Sequence, residues 1–323
     1  MKKRVLYIHP LHPSGMDFLR ERYEVTVDDD DSKEHLLSVI GNYHAVTTRL
    51  TMIDADLIAA GTNLEAIAKH GVGVDNIDVS AATAKGIAVL TTGTANSVSV
   101  AEHAFFAAGA LAKRIPHLDD AMRHGNWASR DEKGSIDLNG RTLGLVGMGR
   151  IGSAMASMAK NGFSMPVIVY DPFLTKEMVE AQGYMWTDSV DDLCTKADVI
   201  SLHVPLTDST RNLIDARRLS MMKPTTLFLN FARGGVVNED DLYVALRDKT
   251  IAAAAIDAWE HEPPDYNHPL FQLDNVLLSP HCGTFSEDSR KRMSMAVAEG
   301  IDAVLSGRVP VNAANKVELY GEE

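Results

Sequence analysis

Short β-branched apolar runs alternate with amphipathic segments over the first part of the chain. Val5 to Ile8, Val25 to Val27, Ala45 to Thr48, Ala66 to Ala68 and Ile87 to Thr91 read as strands. Between them, Met16 to Tyr23, Asp31 to Ile40, Asp54 to Ala60 and Val79 to Lys85 mostly mix polar and apolar residues at helical spacing. Strand and helix in strict alternation predict a parallel sheet covered by helices, because a parallel pair needs a long crossover and a helix supplies it. From about Ser97 to His124 the pattern becomes one long helical stretch. Its Ala-rich middle is apolar nearly all round, which predicts burial and a connector between two bodies.

A second, more regular series starts at Leu143. Leu143 to Val146, Val167 to Tyr170, Val199 to His203, Thr226 to Phe231, Ile251 to Ala258 and Val276 to Ser279 are mostly continuous apolar runs. Runs of that kind are the mark of strands buried on both faces. The last helix, Ser286 to Leu305, follows this series and is expected to lead the chain back to the first body. The expected class is therefore α/β, with two doubly wound parallel-sheet domains. The first is discontinuous, built from 1–97 and 287–323, and the second, 98–286, is inserted in it. No repeat of fixed period and no low-complexity segment interrupts this pattern.

Composition narrows the function classes. The 323 residues carry 31 Lys+Arg and 44 Asp+Glu, a net charge of −13, with 45% apolar residues. Such an acidic chain would need a local basic patch to bind nucleic acid, and its Lys and Arg are scattered. Ala104 to Ala112, the longest apolar stretch when Gly109 inside it is counted, is half of the roughly 18 residues a membrane span takes. The basic start has only four apolar residues, Val5 to Ile8, before a His-Pro break, too few for a secretory h-region. A cytoplasmic location is expected. Cys194 and Cys282 lie far apart and outside any Cys-x-x-Cys pair, which excludes a disulfide framework and a cysteine-rich zinc site; no metal is expected.

Chemistry enters at Gly144-Leu-Val-Gly147-Met-Gly149-Arg150-Ile151-Gly152, which follows a strand and opens a helix. In this G-x-G-x-x-G, Gly147 makes the tight turn, Gly149 admits a pyrophosphate to the backbone and Gly152 lets helix and strand pack closely. The helix N-terminus offers unpaired N–H groups to the phosphates. The next strand ends in Asp171, 24 residues after Gly147, where a carboxylate accepts hydrogen bonds from ribose hydroxyls and repels a 2′-phosphate. The motif therefore predicts NAD rather than NADP.

Ligands of open α/β sheets bind beyond the carboxyl ends of the strands, so polar residues just past each apolar run are candidates. Arg233 follows Leu227 to Ala232 and precedes Gly234-Gly235, Glu262 lies just past Ile251 to Trp259, and His281 follows Val276 to Pro280. The trio suits hydride transfer to a 2-oxo acid, in which charge grows on the carbonyl oxygen and needs a proton donor and a fixed cation. His281 can give the proton and Glu262 beside it favours the imidazolium. Arg233 can grip a carboxylate with its planar fork. Each also has a plainer reading, as a surface ion pair, a loop charge or a structural histidine.

With these residues in place, the chain resembles the D-2-hydroxyacid dehydrogenase family over nearly its whole length. The matching stretches are His70 to Asp78, Asn96 to His103, Gly147 to Gly152, Asn230 to Gly235, Asp257 to Pro263 and Ser279 to Gly283. The resemblance implies a Rossmann NAD-binding domain inserted in a flavodoxin-like substrate domain. It implies that Arg233 binds substrate, that Glu262 pairs with His281 and that His281 is the acid/base. It also implies that the N–H groups of Val72 and Gly73 hold the substrate carboxylate, and that Arg150, Ile151, Asp171, Val204, Ala232 and Asp257 surround NAD. A plainer reading of Asp257 is a helix-facing charge. Family members are typically homodimers joined through the nucleotide domain. Gly125-Asn126-Trp127 resembles the loop that reaches across, although a single Trp can equally fill its own core.

The likeness is nearest to the phosphoglycerate dehydrogenase branch, which implies a substrate contact at Arg49, and the C-terminal regulatory domain of many of those enzymes is not expected here. The pair 3-phosphoglycerate/phosphohydroxypyruvate stays open, as do the 2-oxo acids glyoxylate and hydroxypyruvate. Glu262 stands where formate dehydrogenases of the superfamily carry Gln, which argues against formate. The rival reading is an NAD(H)-sensing protein like the co-repressors that resemble these enzymes. A third, a reductase using NADPH, is disfavoured by Asp171.

Overall fold

A computed structural model describes residues 2–317. The chain divides into two compact units, one made of the residues up to Asn96 together with those from Phe285 onward, the other of Ser97–Thr284. The last residues of the expected 287–323 segment, 318–323, lie outside the described residues.

The first unit runs β1 (Arg4–Ile8), α1 (Pro13–Arg20), β2 (Glu24–Asp28), α2 (Lys33–Val39), β3 (Ala45–Thr48), α3 (Ala55–Ala60), β4 (Ala66–Lys69), α4 (Val79–Ala84) and β5 (Ala88–Leu90). Its five strands are parallel in the order β2-β1-β3-β4-β5. This is the flavodoxin-like order, with its switch point between β1 and β3. Strand periodicity sends Leu6 and Ile8 to one core with Leu36, Leu57 and Ile67, and Val5 and Tyr7 to another with Leu19, Val297, Ile301 and Val304. The second core therefore needs the chain's final helix.

The second unit opens on α5 (Ser97–Ala112) and α6 (Ile115–Arg123). The expected single helix to His124 breaks at Arg114, which is left-handed at φ 51°. Pro116 in the new first turn explains why the chain restarts there. The expected burial all round also fails at Phe106, which is 72% exposed, although Ala101, Ala104 and Ala108 are buried against the sheet side. There follow β6 (Leu143–Val146), α7 (Arg150–Phe163), β7 (Val167–Tyr170), α8 (Lys176–Glu180), β8 (Met185–Trp186), α9 (Val190–Lys196), β9 (Val199–Leu202), α10 (Ala216–Met221), β10 (Leu227–Asn230), α11 (Glu239–Arg247), β11 (Ala253–Ile256) and β12 (Val276–Leu278). All seven strands are parallel, in the order β12-β11-β10-β9-β6-β7-β8. The order reverses between β6 and β9, the doubly wound plan that opens a ligand crevice at that point. The predicted α/β class with two doubly wound parallel sheets is what the chain adopts. β8, a two-residue edge strand, had no pattern to announce it.

The last helix, α12 (Glu287–Leu305), is capped by Ser286, whose Oγ accepts from the Ser289 N–H at 3.1 Å. It packs on α1 and beneath β4 in the first unit. Gly15 of α1 permits that crossing: a Cβ there would stand 2.3 Å from the Ser294 carbonyl oxygen.

Candidate active site

The turn between β6 and α7 is built from its glycines. Gly147 has φ 92°, and a Cβ on it would meet the His203 carbonyl oxygen at 2.7 Å. A Cβ on Gly152 would strike the Gly147 carbonyl oxygen at 2.3 Å, so only glycine lets α7 sit this close to the turn. Gly149 caps α7 and faces open space, with nothing within 4 Å of a built Cβ and no side chain capping the helix. That combination fits a dinucleotide: a closely folded turn, an open glycine and a helix N-terminus free of a competing cap.

Asp171, at the end of β7, accepts from the Met148 N–H and from the Phe173 N–H, both at 2.9 Å. It thus braces the glycine turn from the end of β7. Arg150 is exposed, Ile151 and Val204 are half-buried and Ala232 is buried. His203 beside them donates to or accepts from Ser201 Oγ at 3.0 Å, and burial pushes its pKa down to about 4. It is held neutral.

Beyond β10, β11 and β12 lie the three polar residues picked out above. Glu262 and His281 are paired, with Nδ1 2.8 Å from Oε1 and 2.9 Å from Oε2. The Trp259 N–H also donates to Oε1 at 3.2 Å. Burial pushes the Glu262 carboxyl up. The hydrogen bond and charge of His281, the Trp259 N–H and the charge of Arg233 outweigh burial, and it rests below the ordinary carboxylate range. His281 itself sits at φ 50°, a left-handed conformation that is costly for a residue with a Cβ. Its Nε2 makes no hydrogen bond among the described residues, and its side chain is 40% exposed.

Arg233 is half-buried and donates from Nη1 to the Ala232 carbonyl at 2.7 Å. The turn after it is pressed against the Glu262 loop, since a Cβ on Gly234 would lie 1.9 Å from the Trp259 carbonyl oxygen. Asp257 is buried and accepts from Ser279 Oγ at 2.5 Å and from the Cys282 and Gly283 N–H groups at 2.9 Å each. It holds the turn that carries His281.

In the first unit, Val72 and Gly73 follow β4, and neither N–H enters a hydrogen bond among the described residues. The guanidinium of Arg49, after β3, lies 4.2 Å from the centre of the Phe285 ring. Lys69, which no motif announced, and Asn76, inside the His70 to Asp78 stretch, organise this end of the sheet. Lys69 donates to the Arg49 carbonyl and to Asn76 Oδ1, and Asn76 Nδ2 donates to the Thr51 carbonyl at 2.7 Å. The signal that could have found Lys69 is a cation closing an apolar strand. His70 is 8% exposed, and its Nε2 has no partner. Burial, helped by the charges of Arg49, Arg290 and Lys69, lowers its pKa to about 4.

Two doubly wound units, a dinucleotide turn and a carboxylate-buttressed histidine define a nicotinamide-dependent class of α/β protein. Relatives sharpen the class to a family. Residues 105–283 match the model for the D-isomer specific 2-hydroxyacid dehydrogenase, NAD binding domain. The chain is 42% identical over 321 residues to the D-3-phosphoglycerate dehydrogenase of Methanocaldococcus jannaschii, covering 99% of this chain and 61% of that protein. It is 37% identical over 326 residues to the glyoxylate reductase of Aeropyrum pernix, covering 98% of this chain and 96% of that one. An NADPH-dependent glyoxylate/hydroxypyruvate reductase of Sinorhizobium meliloti, solved with NADP and malonate, has the same fold. The TM-score is 0.85 at 26% identity, over 97% of each chain. The chain belongs to the D-isomer specific 2-hydroxyacid dehydrogenase family. It spans about three-fifths of the length of the phosphoglycerate dehydrogenase it matches.

Proposed function

We propose that this protein is an NAD-dependent oxidoreductase that interconverts an (R)-2-hydroxy acid and its 2-oxo acid. The observation that carries the proposal is the bidentate Glu262–His281 pair, which commits Nδ1 and leaves Nε2 as the nitrogen available to a substrate. The reduced nicotinamide, when bound, supplies the hydride. His281 Nε2 holds the proton that goes to the carbonyl oxygen, and the Glu262 carboxylate balances the imidazolium that carries it. Arg233 pairs with the substrate carboxylate and polarises the carbonyl. Val72 and Gly73 are assigned to the same carboxylate, on the strength of N–H groups that no described residue uses. Arg49 is assigned as a further substrate contact.

Gly147, Gly149, Gly152, Arg150 and Ile151 are assigned to the pyrophosphate, Asp171 to the adenosine ribose, and Val204, Ala232 and Asp257 to the nicotinamide end. NAD is preferred to NADP because the Asp171 carboxylate repels a 2′-phosphate. The substrate is the phosphoglycerate/phosphohydroxypyruvate pair, or one of the 2-oxo acids glyoxylate and hydroxypyruvate, following the names of the relatives. A homodimer through the second unit is supported by Phe106, Ile115, Met122 and Trp127, large apolar side chains left exposed on and near α5 and α6. Trp127 is 66% exposed, so it does not fill its own core. Two free cysteines favour a cytoplasmic location.

The test is NADH oxidation against a panel of 2-oxo acids that includes glyoxylate, hydroxypyruvate and phosphohydroxypyruvate, repeated with NADPH. Turnover of at least one acid with NADH preferred is expected. His281→Ala should lower kcat by about 10²–10⁴-fold while NADH affinity stays within a few-fold. NADH binding without turnover of any acid would instead identify a dinucleotide sensor, and an NADPH preference would overturn the role given to Asp171.

A further inference from the structure

At the carboxyl rim of the second sheet stands an imidazole that the proposed chemistry does not use. β6 pairs with β9 so that Leu145 lies beside Ser201. Leu145 belongs to the core closed by Met155, Ala156 and Ala159 of α7, so Ser201 faces that helix as well. Two residues further along each strand, the same face carries Gly147 and His203. The His203 N–H donates to the Val146 carbonyl at 2.8 Å, which ties the end of β9 to the last residue before the glycine turn.

The ring sits where two glycines leave space. A Cβ on Gly147 would stand 2.7 Å from the His203 carbonyl oxygen, and one on Gly152 would stand 3.6 Å from the ring carbon Cδ2. The imidazole therefore rests against the first turn of α7. Its Nε2 is 3.0 Å from Ser201 Oγ and 3.4 Å from Met155 Sδ, so β9 and α7 hold one nitrogen between them. Asp171 and Ser153 also brace the turn, Asp171 by accepting the Met148 N–H at 2.9 Å and Ser153 by donating from Oγ to the Met148 carbonyl at 3.2 Å. Both grip Met148, whereas His203 backs Gly147 and Gly152.

An aliphatic side chain would fill the same space without carrying a polar atom into it. His203 Nδ1 is buried and has no hydrogen-bond partner among the described residues, which is unfavourable for folding. Burial pushes the pKa down to about 4, so the ring brings no charge to a phosphate. What an uncharged imidazole contributes here is volume, and an orientation fixed through Ser201.

We propose that His203 is a positioning residue for the dinucleotide: its ring, oriented by Ser201, sets how far the turn from Gly147 to Gly152 stands off the sheet. The height of the turn decides where the N–H groups of α7 meet the pyrophosphate. This role rests on the proposed reading of the turn as a dinucleotide site. It differs from the role proposed for Asp171. A carboxylate at the ribose discriminates NAD from NADP, whereas a ring behind the turn acts on the pyrophosphate that both carry.

Full-length protein is titrated with NADH and with ADP-ribose, followed by protein fluorescence and without any acid substrate. ADP-ribose keeps the adenosine and the pyrophosphate and lacks the nicotinamide. His203→Ala should weaken both ligands by the same factor, about tenfold or more, and His203→Gln, which keeps a polar atom near the Nε2 position, by less than about threefold. Ser201→Ala frees the ring without removing it and should fall between the two for both ligands. If His203→Ala does not fold, Ser201→Ala against His203→Gln decides the matter, because neither empties the space behind the turn. Wild-type affinity in folded His203→Ala or in Ser201→Ala overturns the proposal. A loss for NADH that ADP-ribose does not share places the effect at the nicotinamide and overturns it too. Wild-type protein that binds neither ligand overturns the dinucleotide reading itself, an outcome distinct from a variant that binds as well as wild type.

Discussion

His70 shows how much a single imidazole can contribute when it is kept neutral. It is buried at the end of β4 with an unpartnered Nε2, and its pKa falls from the ordinary 6.5 to about 4. The unfolded chain therefore binds a proton that the folded chain refuses below pH 6.5. Stability from this residue is fully present above that value and is lost as the pH falls toward 4, by up to about 3 kcal/mol. His70→Gln removes the titrating group, so the stability gap between wild type and variant should shrink in urea titrations run from pH 7 to pH 4. A gap independent of pH would show that the imidazole is not held neutral. Residues of this kind were only partly legible beforehand. Arg233, Glu262 and His281 stand out in the sequence because each follows an apolar run in the region where open α/β sheets bind ligands. Lys69 and Asn76 act through each other and through the carbonyls of Arg49 and Thr51 after β3, and apolar periodicity does not report such pairing.

At the scale of elements, the strands were the legible part. Central strands such as β6, β9 and β10 are continuous apolar runs because both faces are covered, and their ends fall within a residue or so of where the runs stop. The helical stretch after Ser97 departs from the expected single helix because apolar periodicity does not see a left-handed residue: Arg114 breaks it, and only Pro116 signals the break in the sequence. Helix contacts turned on absent side chains instead. Gly15 lets α1 rest on the Ser294 backbone of α12, with 2.3 Å between a built Cβ and the carbonyl oxygen. Gly15→Ala should force the two helices apart and lower the unfolding free energy by about 1–3 kcal/mol in denaturant titrations. An unchanged midpoint would mean that the crossing has slack.

For the whole molecule, the governing feature is that the first unit is closed by the last helix. Val297, Ile301 and Val304 of α12 fill the core beside Val5, Tyr7 and Leu19. A chain ended at Thr284 lacks this half of the core. It should show one cooperative unfolding transition, from the second unit, together with dye binding to the apolar face left bare in the first. Two transitions, or no dye binding, would mean that the first 96 residues close by themselves. The charge of −13 acts at the same scale: on so acidic a chain, positive groups tell where they gather locally, as Arg49, Lys69 and Arg290 do around His70.

The discontinuity also orders events in time. During synthesis the first 96 residues leave the ribosome with one face of their sheet uncovered, and 188 further residues, Ser97 to Thr284, are made before α12 appears. At 5–20 residues per second that is an interval on the order of 10–40 s, in which the second unit can fold while the first waits. The nascent chain thus carries its greatest burden of unsheltered apolar surface in mid-translation, and the protein's yield in a cell depends on what shields that face until the final helix arrives.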